Sequence, residues 1–241
     1  MPSHTLHWPV LTRGARDACN VPALVIGASY LGFGALVRET GLTVWQGLLS
    51  TATGWALPGQ VVLIELYALA TPLLMIMLAV GLTNARLLPM TVTVMPWLRA
   101  PAVPRWAYFL AAHLVAVTGW VQAMRVCPRL PQPERLPYFL GFGLVLWGTT
   151  LCATAGGFLL AAEMPRPLAL ALVFLNPIYF LLIMSADLQH RSRQVALAVG
   201  LVLGPLLHLL TPQWGLLLTG LIAGSLGFLA GRLPRAAGGT P

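Results

Sequence analysis

Residues 41–85 read GLTVWQGLLSTATGWALPGQVVLIELYALATPLLMIMLAVGLTNA, and Glu65 is their only charge. At about 1.5 Å of rise per residue, a helix of that length would cross a ~30 Å hydrocarbon core roughly twice. A soluble domain carries charge at far shorter intervals. Lipid is therefore the solvent for this stretch, and backbone in lipid must satisfy its polar groups inside helices. Two spans are expected, at 44–66 and 71–90, with a turn before Pro72.

The same reading extends in both directions. Apolar runs at 18–37, 106–124, 138–162, 168–186, 195–210 and 214–231 are long enough to be spans or near-spans. Between them lie proline and arginine, most densely at Pro128, Pro131, Pro133 and Pro137, where a helix is not expected to continue. The fold class expected is all-α, a polytopic transmembrane bundle of about 7–8 helices, some broken by proline and glycine. It forms a single domain over 1–241, with short tails at 1–17 and 232–241. Composition agrees, since 58% of residues are hydrophobic and 8% charged, with mean hydropathy +0.81.

All 14 basic residues are arginine and the net charge is +8. They punctuate the loops rather than cluster beside aromatic residues, so nucleic acid is not an expected partner. With eight spans, Arg13, Arg16, Arg125, Arg129, Arg135, Arg191, Arg193, Arg232 and Arg235 share one side. Arg38, Arg86, Arg99, Arg105 and Arg166 fall on the other. The richer side is cytoplasmic by the positive-inside rule, which places both termini there, in a bacterial inner membrane. The run at 18–37 can itself span, and no small-residue cleavage site follows it, so it reads as a retained helix rather than a leader. Cys19, Cys127 and Cys152 lack metal or disulfide spacing, so neither a metal site nor a cofactor is expected.

Some of these helices carry breaks. Gly54-Trp55-Ala56-Leu57-Pro58-Gly59-Gln60 interrupts the second span, and Asn176-Pro177 the sixth. Carbonyls freed by proline at membrane depth need a protein or water partner, and transporters commonly build substrate sites at such interruptions. A kink used only for packing is the competing reading. A short echo, Leu31-Gly32-Phe33-Gly34 and Leu140-Gly141-Phe142-Gly143, hints at an internal repeat.

Polar side chains within the spans are the candidate site. Arg86 could grip a carboxylate in bidentate fashion, with Asn84 beside it, or sit as an interfacial arginine at a helix end. Gln60 and Asn176 either line the same cavity or make hydrogen bonds between helices. Glu65 is the candidate for proton coupling, unless it lies in the wet turn before Pro72. His113 and His208 read as packing histidines. No protease, hydrolase or nucleotide-binding signature is present, and an enzyme is not expected.

Several of these residues carry a resemblance. Pro22-x4-Gly27-x4-Gly32-x-Gly34, Gly41-Leu42-Thr43, Gly59-Gln60 and Asn84-x-Arg86 resemble the first half of the AzlC-type branched-chain amino acid exporters. Gly141-Phe142-Gly143, Trp147, Gly156-Gly157 and Phe174-Leu175-Asn176-Pro177 resemble the second half. The chain reads Thr118-Gly119-Trp120 where that family usually carries an Asp-Glu pair, and Leu87 where a histidine often follows the arginine. The resemblance implies export of branched-chain amino acids and their analogues, together with a small AzlD-type membrane subunit. Gln60, Asn84, Arg86 and Asn176 are then the substrate-binding candidates. The alternative is a non-transporting membrane subunit that assembles or stabilises a complex.

Overall fold

The computed structural model describes residues 8–100, 103–186, 191–210 and 215–232, without the side chains of 176, 177, 179, 180, 183–186, 193, 208, 216 and 217. The described residues are helical apart from turns, loops and one short 3-10 turn. In chain order the helices are α1 Trp8–Ala18, α2 Val21–Glu39, α3 Val44–Gly54, α4 Leu57–Ala68, α5 Leu73–Asn84, α6 Leu87–Leu98, α7 Arg105–His113, α8 Val117–Val126, α9 Gln132–Leu160, α10 Arg166–Ala186, α11 Arg191–Leu210 and α12 Gly215–Arg232. The chain divides into two compact units, Met1–Pro177 and Ile178–Pro241.

By length and composition, α2 and α9 can each cross a membrane, and α5 with α6, bent by 46° at their junction, is long and apolar enough to make a third if the pair is one span. Among the described residues that measure gives two or three spans, where hydropathy of the sequence led to an expectation of seven to eight. Part of the difference is physical, because two apolar runs fold as helices of about half the required length; α10, α11 and α12, of 21, 20 and 18 residues, are only partly described and do not enter that measure in full. The run at 44–66 becomes α3 and α4, and the run at 106–124 becomes α7 and α8. Nine or ten residues rise only about 15 Å.

In the first unit, α2 and α9 lie side by side and run in the same direction, with Gly27 opposite Thr149 and the Arg38 guanidinium on the Phe158 carbonyl at 3.1 Å. Glycines set this approach. A Cβ on Gly34 would meet the Thr154 carbonyl, and one on Gly157 would meet the Leu31 carbonyl. Gly14 and Gly141 do the same between α1 and α9, against Tyr138 and Leu11. Small residues let helices come together closely where lipid gives no hydrophobic drive. The repeated Gly-Phe-Gly is used for such packing: Phe33 and Phe142 are buried, and Gly143 leaves room for Leu114.

Residues 8–17, expected as a tail, form most of α1, whose exposed Trp8, Arg13 and Arg16 contrast with its buried Gly14 and Ala18. It is fixed by Tyr138, whose hydroxyl donates to Asp17 at 2.7 Å and accepts from Gln122 at 2.8 Å. The start of α9 also differs from expectation. The helix begins at Gln132 and includes Pro133 and Pro137. Pro133 sits in the first turn, where its missing N–H has no helical partner to lose.

The ends of α9 sort the arginines. Gln132 donates to the Arg99 carbonyl at 2.9 Å, and the Arg135 guanidinium lies 5.2 Å from the Trp97 ring centre. Arg99 and Arg105 thus join Arg125, Arg129 and Arg135 at the N-terminal end of α9, a correction to their expected grouping with Arg38 and Arg166. The latter two remain at the other end, where Arg166 pairs with Glu39 at 3.5 Å. The source of the correction is the α5–α6 pair, whose second half carries the chain back to the N-terminal end of α9.

Cys127 lies in the turn between α8 and α9 and is fully buried, which pushes its thiol up to about 11 despite the nearby Arg135. A maleimide needs thiolate and access. At neutral pH it is expected to label exposed Cys19 in the native protein and to reach Cys127 only after denaturation, as peptide mapping would reveal.

In the second unit α11 and α12 form an antiparallel hairpin, with Gly227 and Gly231 against Ser192, Gly200 against Ala223 and Gly204 against Thr219. The turn expected at 211–213 lies outside the described residues. The backbone of α10 is helical through 176 and 177, so Asn176-Pro177 does not end that helix.

Candidate functional site

The site is built on interruptions in the first unit. α3 starts sharply at a capping box: Thr43 Oγ1 accepts from the Gln46 amide at 3.3 Å, and Gln46 Oε1 accepts from the Thr43 amide at 2.8 Å. Gly41, at φ +77°, reverses the chain just before it. α3 ends at Gly54 because Pro58 follows four residues later, and a proline ring collides with the carbonyl at i−4. The same rule places the bend between α5 and α6. Pro89 stands four residues after Ala85, and the helix turns by 46° across Ala85 and Arg86.

A third interruption has no proline. α7 closes at Leu114, Ala116 is extended, and α8 returns toward the level where α7 began. Leu114 packs near Gly143, Gly119 near Phe139, and Gln122 on Tyr138, so α8 descends the first turns of α9. α7 and α8 are therefore a half-length hairpin rising from the N-terminal end of α9. α3 enters from the opposite end, where Gly47 meets Val37. The two meet where His113 Nε2 donates to the Ala52 carbonyl at 2.8 Å, with the Trp147 indole N–H at 3.4 Å from the same oxygen. An acceptor near the broken end of α3 is satisfied in this way, as backbone at such depth requires.

Beside this contact runs a directional chain of hydrogen bonds. The Tyr30 hydroxyl donates to Gln60 Oε1 at 2.8 Å, and Gln60 Nε2 donates to Ser50 at 2.9 Å and to Thr51 at 3.0 Å. Thr154 gives its proton to the Thr150 carbonyl, so Thr51 donates to Thr154, at 3.1 Å. Tyr30, Thr51, Gln60 and Thr154 are all buried. The chain fastens α2, α3, α4 and α9 together around the break.

The expected site residues separate into three groups. Gln60 lies in the core with both amide protons engaged by neighbouring helices. Asn84 stands directly against Gly59, where any Cβ would collide with its amide, and its Oδ1 is buried without a hydrogen-bond partner. Arg86 follows at the bend, two residues after Asn84; it is exposed and makes no ion pair among the described residues. Gln60, Asn84 and Arg86 therefore come together. Glu65 does not: it is exposed, five residues and about 140° around α4 from Gln60. The Asn176 and His208 side chains lie outside the described residues. Tyr30, Thr51, Thr154, His113 and Trp55 were not expected at the site; the Trp55 indole N–H is buried and likewise unpartnered.

With this geometry in place, the family relation can be decided. The family model described as AzlC protein matches residues 22–164, more than half of the chain. The chain belongs to the AzlC family. The match spans α2 through α9, and so includes Tyr30, Gln60, Asn84, Arg86 and His113, whereas Asn176 lies beyond it. Family membership and the apolar helices make this AzlC chain a membrane protein with a role related to branched-chain amino acid transport. No curated protein and no solved structure matches it.

Replacing Gln60 with leucine would leave the buried Tyr30 hydroxyl without its acceptor, at about 1–3 kcal/mol, while Thr51 keeps its bond to Thr154. Gln60→Leu is expected to lower the unfolding temperature in detergent by several degrees, whereas Glu65→Gln on the exposed face of α4 leaves it unchanged.

Proposed function

We propose that this AzlC protein exports branched-chain or other small amino acids and their analogues as a secondary carrier, together with a small AzlD-type membrane subunit. The observation that carries the reading is the pairing of Asn84 Oδ1, a buried acceptor without a partner, with the unpaired guanidinium of Arg86 at the α5–α6 bend. Buried polar atoms are rarely left unsatisfied, and each such case calls for a reason. An α-amino acid offers an ammonium to the amide oxygen and a carboxylate to the guanidinium. The Trp55 indole N–H adds a second free donor next to the α3–α4 break.

In this reading the arginine-rich N-terminal end of α9 faces the cytoplasm of a bacterial cell, by the positive-inside rule. The half-length hairpins α3–α4 and α7–α8 approach the site from opposite faces, as gates would. The chain acts as a carrier and not as an enzyme. Gln60 favours the second reading, a non-transporting subunit, because all its hydrogen bonds go to neighbouring helices.

Efflux of radiolabelled leucine, isoleucine and valine from loaded cells separates the two. Cells expressing this chain with its small partner are expected to lose label faster than cells expressing either alone. If no combination moves any amino acid, the non-transporting reading takes its place.

A further inference from the structure

A second feature lies away from the helix breaks, at the N-terminal end of α9. A pocket of about 590 Å³ opens there between the end of α6 and the start of α7, lined by Arg99, Val103, Arg105, Tyr108, Phe109 and Gln132. Its rim is held in place. The Tyr108 hydroxyl accepts from the Ala100 amide and donates to the Ala100 carbonyl, both at 3.0 Å, and Gln132 holds the Arg99 carbonyl at 2.9 Å. These bonds tie Ala100 to α7 and Arg99 to the start of α9.

Neither guanidinium has a partner. Arg99 and Arg105 are exposed, and among the described residues neither forms a side-chain hydrogen bond or a salt bridge, not even with Glu134 in the first turn of α9. Two unpaired guanidiniums lining one pocket can receive an oxyanion, above all phosphate, whose oxygens suit the arginine fork. A free anion would use only that polar half. The other half is aromatic: Phe109 in the wall is 77% exposed, and Trp106 on the same helix is 66% exposed. Exposed rings beside arginines at the end of a membrane bundle fit the boundary between headgroups and acyl chains.

We propose that this pocket binds an anionic phospholipid, with Arg99 and Arg105 on the phosphate diester and Phe109 and Trp106 along the upper acyl chain. Basic pockets between helices on the cytoplasmic side are the expected place for such headgroups. The inference does not depend on the transport reading.

Native mass spectrometry of the purified full chain in detergent, with phosphatidylglycerol or phosphatidylcholine added, tests it. Phosphatidylglycerol is expected to be retained in preference to phosphatidylcholine. Arg99→Gln with Arg105→Gln should weaken retention by on the order of tenfold. Arg125→Gln with Arg129→Gln removes the same charge from the same end outside the pocket, and should change retention by no more than about twofold. The proposal is overturned if both double variants lose lipid equally, if phosphatidylcholine is held as well, or if inorganic phosphate at equal concentration displaces the lipid. The last outcome would make the pocket a free-anion site.

Discussion

Arg86→Ala is expected to reduce amino acid efflux at least tenfold while the protein still inserts and accumulates in the membrane. The folded chain loses little by the change, because Arg86 forms no ion pair among the described residues and sits at a bend, outside the regular hydrogen bonding of α5 and α6. The substrate loses much more. A hydrogen bond to a charged group is worth about 1.5–3 kcal/mol, which corresponds to roughly ten- to a hundredfold in binding. Arg86→Lys keeps the charge but not the planar fork, and should fall between the parent and the alanine variant. Initial rates of labelled leucine efflux, normalised to protein in the membrane, decide the matter. An alanine variant that transports like the parent would remove Arg86 from the site.

The largest effect on folding is expected from Gly157→Val. Its Cβ would meet the Leu31 carbonyl of α2, while Gly34 of α2 stands against the Thr154 carbonyl of α9. Both obstacles are backbone, which cannot rotate away as a side chain can. Overpacking costs about 1–3 kcal/mol where neighbours adapt, and here they cannot without separating α2 from α9. The variant is expected to accumulate poorly or to unfold at least ~10 °C below the parent in detergent. Gly148→Ala on the same helix is the control. A Cβ there meets nothing within 4 Å, so the better helix propensity of alanine should leave stability equal or raised by up to about 1 kcal/mol. Equal melting of the two variants would show that the close approach of α2 and α9 is not what holds the unit together.

How much of this was legible in the sequence varies with the cause of each feature. The break after Gly54 was, because Pro58 acts on a carbonyl four residues back and nothing distant is needed. The bend at Ala85 obeys the same local rule through Pro89, yet an unbroken apolar run hid it, and the span was expected to end near Met90. The α7–α8 turn had no local sign. Residues 106–118 contain neither proline nor glycine, and the turn exists because Leu114 finds space at Gly143 and His113 finds the Ala52 carbonyl, both far away in sequence. Hydropathy counts a hairpin of two half-length helices as one span, and the placement of Arg99 and Arg105 went wrong with the span count. Within the site, Gln60, Asn84 and Arg86 stood out as polar groups in apolar runs. Tyr30, Thr51 and Thr154 did not, since hydroxyls in membrane helices often bond their own backbone. Only packing shows that these three join Gln60.

The single acceptor at Ala52 has a consequence for leakage. It accepts from His113, on a hairpin anchored at the opposite end of the first unit, and from the Trp147 indole of α9. Withdrawing the α7–α8 tip would leave that oxygen only the longer Trp147 contact and the His113 imidazole without its acceptor, at about 1–3 kcal/mol unless water replaces the lost partner. In a carrier of the kind proposed, such a contact would oppose an open hole and so spare the ion gradients of the cell.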